Sequence, residues 1–412
     1  MTNFWSRWKA SVPRRNVPPD ELVIGRLRSD LEGLFEVANR MTPPRALQGT
    51  VVFIGKLLHH DPDYVQSELA ERWARHGYTP YLRLNRPQSH KRNQEYPGHS
   101  PDSWQTDALT ASEQPHQIIA HPAVVQVRRS DPRINLVLFL ATLVSIVVTG
   151  TLSSSEAGEP APLTQGIWLA LALMAILGAH EFGHYWAARR HGVAVTLPYF
   201  IPLPLVFIGT LGAFIRMQAP VRNRRHLFDI GVAGPLAGLA VAVPLLLLGL
   251  AQSEVKTLPS DGVYLLEGNS LFYQAAKYVI HGELLPANGR DVMLHPVAFA
   301  AWFGLLVTAF NLLPIGQLDG GHVVFALIGD KAQRVSIVLV VLLALAGMLL
   351  WPGWLTWALL VTFMALRHPP PLNDITPLDS RRRVLAALVL LIFVLVFVPV
   401  PLTITGSESV FW

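Results

Sequence analysis

The stretch QGIWLALALMAILGAHEFGH, residues 165–184, decides how this chain is read. From Pro160 to Ala179 the sequence carries no charge, and that run is long enough to cross a hydrocarbon core as a helix. It ends in His180-Glu181-Phe182-Gly183-His184, an H-E-x-x-H arrangement. On a helix, positions i and i+4 share a face, so His180 and His184 can offer imidazole nitrogens to one metal ion. Glu181 stands beside them, where a carboxylate can take a proton from a water molecule without being a ligand. An ionisable residue within an apolar span costs about 3 kcal/mol on insertion scales, and here three fall within five residues, which favours chemistry over helix-end snorkelling.

Outward from this stretch the whole chain has the composition of a membrane protein. Of its 412 residues 51% are hydrophobic and only 15% charged. Further charge-free runs cover Ile134–Ser155, Val193–Ile215, Ile230–Ser253, Val292–Leu318, Val335–Leu366 and Val384–Ser407. Arg128, Arg129 and Arg133 precede the first run, while the next connection carries Glu156 and Glu159 and no basic residue. The residues before the first span are therefore expected on the cytosolic side. Val193–Ile215 contains Pro198, Pro202, Pro204, Gly209 and Gly212, which is hostile to a helix, so it is expected as a re-entrant hairpin covered by protein. Trp351-Pro352-Gly353 breaks the 335–366 run into a second hairpin. The expected architecture is a multi-pass α-helical membrane protein of six to seven transmembrane helices, seven if each arm of that break crosses, with a membrane domain over 134–407.

Residues 20–130 are expected as a small cytosolic α+β domain. Val51–Ile54, Thr79–Leu84 and Ala123–Val127 read as strands, Pro62–His76 as a helix, and 85–117 as a mobile loop. Residues 1–19 hold Arg7, Lys9, Arg14 and Arg15 without an acid and read as a basic tail near an anionic leaflet. The net charge of +5 does not imply nucleic acid, because the arginines cluster at the ends of apolar runs instead of forming a basic stripe. The chain has no cysteine, which excludes disulfides, thiolate nucleophiles and cysteine metal sites.

A catalytic zinc site needs a third protein ligand and an open position. No acid lies between Glu181 and Asp229, so the ligand must come from a distant span. Three residues qualify: Asp229, for which a surface ion pair with its neighbouring arginines is the plainer account, Asp319, and His322. Asp319 closes a long apolar run inside Asn311-Leu-Leu-Pro314-Ile-Gly-Gln-Leu-Asp319-Gly320-Gly321-His322, where Pro314, Gly316, Gly320 and Gly321 let the backbone bend. Asn311 is the amide side chain deep in that run. It is a candidate for substrate orientation or oxyanion stabilisation, with an interhelical hydrogen bond equally compatible. Gly209 and Gly212 mark a hairpin strand whose edge is a candidate for holding an unwound substrate. Gly231, Gly234 and Gly238 mark a small-residue packing face. The remaining histidines, among them His59, His60, His90, His99, His116 and His121, lack ligand spacing.

Taken together, His180-Glu-Phe-Gly-His184, Gly231-x-x-Gly234-Pro235 and Asn311-x-x-Pro-x-x-x-Leu-Asp319-Gly resemble, in order, the motifs of the site-2 protease family of intramembrane zinc metalloproteases. The resemblance covers about residues 165–330. It implies one zinc ion per chain held by His180, His184 and Asp319, Glu181 as catalytic base, and a transmembrane protein in the lipid bilayer as substrate. Only about 40 residues separate the runs ending near Ser253 and starting near Val292, too few for a PDZ domain, so the chain is similar to the bare-core cyanobacterial and plastid branch. The competing readings are a catalytically silent metal-binding scaffold and a divalent-cation transporter. The first should have lost Glu181 or a ligand, and the second should show internal repeats. A bacterial inner membrane is the expected location, for want of a convincing transit peptide. No oligomeric state follows from the sequence.

Overall fold

The computed structural model describes residues 20–41, 49–85, 115–122, 130–153, 161–204, 208–258, 264–364 and 368–405. They fall into two units. The first holds the described residues up to 122 together with 219–225 and 369–378. In it α1 (Glu21–Ser29) is opened by the Asp20 carboxylate, which accepts from Leu22 N–H at 3.2 Å. The chain continues through β1 (Phe35–Met41), β2 (Val51–Leu57), α2 (Pro62–Ala74), β3 (Thr79–Leu84) and β4 (His116–His121). Asp61 caps α2 and Pro62 occupies its first turn. The strands form one antiparallel sheet in the order β1-β2-β4-β3. Val65, Leu69 and Trp73, four residues apart on one face of α2, are fully buried against Leu27, Phe53 and Ile118. Each such side chain contributes about 1.5–3 kcal/mol by leaving water.

The strand expected at 123–127 lies outside the described residues. The fourth strand instead occupies 116–121, so the expected loop ends earlier than 117. The basic tail and residues 86–114 also lie outside the described set. A further difference is that 219–225 and 369–378, expected within the 134–407 membrane domain, fold with this module. Leu82 N–H donates to Leu372 O at 2.7 Å, and parallel bridges join Leu82 to Asn373 and Asn373 to Asn223.

The second unit begins with α3 (Pro132–Ser153) and α4 (Leu163–Arg190), followed by the hairpin β5 (Tyr199–Pro202) and β6 (Thr210–Phe214) and by α5 (Arg224–Ala251). Then come β7 (Glu254–Thr257), β8 (Tyr264–Glu267), α6 (Leu271–His281), β9 (Arg290–Met293), α7 (Pro296–Asn311), α8 (Asp319–Ile328), α9 (Ala332–Leu349), α10 (Gly353–Met364), α11 (Ser380–Val396) and β10 (Leu402–Thr405). Among the described residues four stretches are long and apolar enough to cross a membrane: 132–152, 163–190, 224–251 and 319–349. The last joins α8 and α9 through a single 3-10 turn, Gly329–Lys331. Pro296–Asn311 and Gly353–Phe363 are shorter apolar helices. The expected hairpin at 193–215 is a pair of antiparallel strands, and the expected break at Trp351-Pro352-Gly353 separates α9 from α10.

Small residues let the helices approach. A methyl group on Gly166 of α4 would stand 2.4 Å from Val147 O of α3, one on Gly304 of α7 would meet the Ile176 side chain, and one on Gly249 of α5 would meet the Ala298 backbone. Strand β8, between α5 and α7, pairs with β10, which follows α11. Antiparallel pairing puts both on the same side of any bilayer. Beside them Lys277 of α6 is wholly buried and paired with Asp291 at 3.0 Å and Glu267 at 3.3 Å, and Tyr273 donates to Glu267 at 2.9 Å.

Candidate metal centre

Helix α4 carries His180 and His184 one turn apart, and their Nε2 atoms stand 3.2 Å from each other. Asp319, the first residue of α8, brings Oδ2 to 3.3 Å from both. The three ligand atoms lie within 4.8 Å of one another, and both imidazoles are buried. What returns Asp319 to α4 is the bend over 312–318, and two glycines make it possible. A Cβ on Gly320 would stand 2.0 Å from Leu312 O, and one on Gly321 2.3 Å from Gly316 O. Ser336 of α9 pins the bend by accepting from Gly316 N–H at 3.0 Å.

This donor set suits zinc. Three ligands about 2.0–2.1 Å from one ion in tetrahedral array stand about 3.3 Å apart, which is the spacing found here. The tautomer also suits it. His184 Nδ1 is 2.7 Å from the carbonyl of Ile230, which can only accept, so Nδ1 carries the proton and the Nε2 lone pair is left for a metal. Glu181 is buried beside the trio, and its carboxylate takes a backbone hydrogen bond from Ile215, the residue following β6.

Helix α5 closes the far side. A methyl on Gly234 would lie 2.1 Å from His184 Nε2, one on Gly238 3.3 Å from His180, and one on Gly231 2.8 Å from His322 Cβ. The face read as packing thus packs on the imidazoles themselves.

Asn311 ends α7 with Nδ2 3.3 Å from His180 Nε2, which puts it at the centre. The other two candidate third ligands are engaged elsewhere. Asp229 is gripped by Arg382 of α11 at 2.7 and 2.6 Å and by His191 at 2.9 Å, while His322 Nδ1 meets His368 Nε2 at 2.7 Å. Gly209 packs on α3. Its φ of +84° and its approach to the α3 backbone, with Ser145 Oγ donating to its carbonyl at 2.6 Å, make it the residue that seats the hairpin. Gly212, with φ +97°, has open space where a side chain would be. The Ile230 carbonyl and the Ile215 amide escaped the sequence reading because any residue supplies such groups. The signal that existed was the glycine face of 231–238, which showed that α5 comes close.

Residues 168–350 match peptidase family M50. The chain is 34% identical over 254 residues to the probable zinc metalloprotease EGY2, chloroplastic, of Oryza sativa subsp. indica, covering 60% of this chain and 45% of that protein. It is 33% identical over 255 residues to the Arabidopsis thaliana protein of the same name, covering 60% and 44%. Against the probable zinc metalloprotease EGY1, chloroplastic, of Arabidopsis thaliana it is 34% identical over 242 residues, covering 56% and 42%. The chain thus spans less than half the length of these curated relatives. With the H-E-x-x-H helix, the distal aspartate and the glycine-lined α5 all inside the matched region, residues 168–350 are similar to peptidase family M50, and the chain is similar to the plastid EGY zinc metalloproteases.

Proposed function

We propose that this chain is an intramembrane zinc endopeptidase that hydrolyses a peptide bond in or near the transmembrane segment of a membrane protein. The observation that carries this is the convergence of His180, His184 and Asp319, with Glu181 alongside, among helices of membrane composition. The names of the relatives support zinc as the ion, one per chain, with those three residues holding it. When bound, zinc supplies a Lewis acid that polarises a carbonyl group and acidifies water.

The chain's own groups do the rest. As a water oxygen bonds to the scissile carbonyl carbon, Glu181 takes the released proton. As the C–N bond breaks, Glu181 returns that proton to the leaving amine. Asn311, an amide donor beside His180, orients the carbonyl. A transmembrane substrate must unwind before its amide is exposed, and β6 offers a main-chain edge for it, since among the described residues β6 pairs only with β5. Through Ile215, β6 also touches the Glu181 carboxylate.

In this reading the β5–β6 hairpin is re-entrant. Helices α3, α4, α5, α7 and α11 each cross once, the 319–349 stretch crosses outward and α10 returns, for seven crossings. The arginine-rich ends put residues 20–130 on the cytosolic face, or the stromal face in a plastid. The location is a membrane. The relatives, chloroplastic by name, lend no support to the bacterial inner membrane expected from sequence.

Zinc stoichiometry on detergent-purified protein tests the reading. Wild type should hold about one zinc, as one open three-ligand site requires, and Asp319→Ala and His180→Ala should lose it while Asp229→Ala keeps it. Glu181→Gln should keep zinc and cut a reconstituted single-span substrate at least ~100-fold more slowly. Equal zinc in Asp319→Ala and wild type would sink the ligand set.

A further inference from the structure

We propose that Asp63, in the first turn of α2, is a positioning residue for the metal centre. This rests on the zinc reading above. Its Oδ1 accepts two hydrogen bonds from residues distant in sequence, Asn223 Nδ2 at 2.9 Å and Asn373 Nδ2 at 2.7 Å. Both asparagines are buried, Asn373 completely. Each adjoins a chain segment that makes contact with a residue on a ligand-bearing or ligand-orienting helix.

Asn223 immediately precedes α5. The next residue, Arg224, is fixed by Asp374 at 2.7 Å, and the Asn373 amide N–H donates to Arg222 O, also at 2.7 Å. Six residues on, about 9 Å along a rigid helix, the Ile230 carbonyl holds the outer nitrogen of His184. Asn373 follows His368 by five residues. His368 stacks on Phe325 with ring centroids 4.3 Å apart and hydrogen-bonds His322, one turn after Asp319 on α8. One carboxylate in the amino-terminal module therefore holds the starts of the two segments that orient a histidine ligand and support the aspartate ligand. Partners that orient metal ligands are worth a large share of metal affinity, and a displaced α5 would shift the Ile230 carbonyl and the Gly234 backbone together. This gives residues 20–122 a role in the chemistry that neither their composition nor the family motifs assign.

The test uses full-length protein in detergent, loaded with zinc and challenged with excess chelator, the release followed by a zinc-sensitive dye. Asp63→Ala should release zinc roughly three- to thirtyfold faster than wild type, the usual span of such couplings. Asp63→Asn, whose amide oxygen still accepts both hydrogen bonds, should stay within about twofold of wild type. A role confined to holding the module together predicts unchanged zinc release in both variants, and that result overturns the proposal. A wild type that binds no zinc overturns the metal reading itself and this proposal with it. If Asp63→Ala does not purify as a folded species, Asn223→Ala removes one arm without touching α2 and faces the same two outcomes.

Discussion

At the scale of single residues, the candidate centre depends as much on absent side chains as on its candidate ligands. Gly234 is the sharpest case, because a Cβ there would overlap the His184 ring on three of its atoms. Gly234→Ala forces either α5 to withdraw or His184 to turn, and overpacking of this kind costs about 1–3 kcal/mol. The variant should purify with well under one zinc per chain. Gly178→Ala, on α4 two residues before His180, meets nothing within 4 Å and should be neutral or slightly stabilising by helix propensity. Measuring both by zinc content and thermal unfolding separates a close-approach glycine from an incidental one, and equal zinc content in the two variants would refute the packing argument. The candidates His180, Glu181 and His184 were legible because H-E-x-x-H encodes a helix face, and Asp319 was one of three candidate partners because it ends a long apolar run in which a charge is costly. Whether Asp229, Asp319 or His322 completed the set was not legible from spacing alone. The structure separates them by what else each holds: Asp229 an arginine, His322 a histidine, Asp319 the two imidazoles.

At the scale of elements, the β5–β6 hairpin joins the fold to the chemistry. It is seated on α3 by Asn135, whose amide donates to Leu197 O at 3.0 Å and Pro198 O at 2.8 Å, and by Phe200 against Phe139. Its Thr210 hydroxyl ties the two strands by donating to Ile201 O at 2.9 Å. Among the described residues strand β6 pairs only with β5 and so keeps an edge, and Leu211 is 67% exposed on it. Leu211→Pro removes one main-chain donor from β6 without entering the core. It should keep zinc and slow cleavage of a single-span substrate by roughly tenfold, the worth of a hydrogen bond or two in the bound state. Unaltered cleavage would deny the edge a role in holding substrate. Prolines and glycines told the sequence reader that 193–215 is not a helix. They did not say where the hairpin is seated, because a hairpin of this length is stabilised by what it packs on, and α3 lies some 60 residues away in sequence.

At the scale of the whole molecule, the amino-terminal module has a pH dependence of its own. His121, at the end of β4 and edge-on to Tyr81, is buried, and desolvation pulls its pKa down from the ordinary 6.5 to about 4. The folded module therefore binds this proton less readily than the unfolded chain. Its contribution is fully present above pH 6.5 and is lost as pH falls from 6.5 toward 4, by about 3 kcal/mol at most. Amide exchange in β3 and β4, corrected for the intrinsic rate, should lose protection across that window, and His121→Leu should flatten the loss. A wild-type profile as flat as the variant's would contradict it. Some features of the molecule were local and so could be read directly. Apolar runs of sufficient length, prolines inside them, and histidines one helical turn apart are properties of neighbouring residues, and they determined the membrane class, the hairpin breaks and the helix that carries the candidate histidines. Only the tertiary structure decided which distant carboxylate meets the histidines, that Ile230 and Ile215 lend main-chain groups to the centre, and that 219–225 and 369–378 join the amino-terminal sheet. Each of these is a contact between segments tens to hundreds of residues apart. Such contacts are made by main-chain groups that every residue possesses, or by polar side chains whose partners are set by packing and not by spacing.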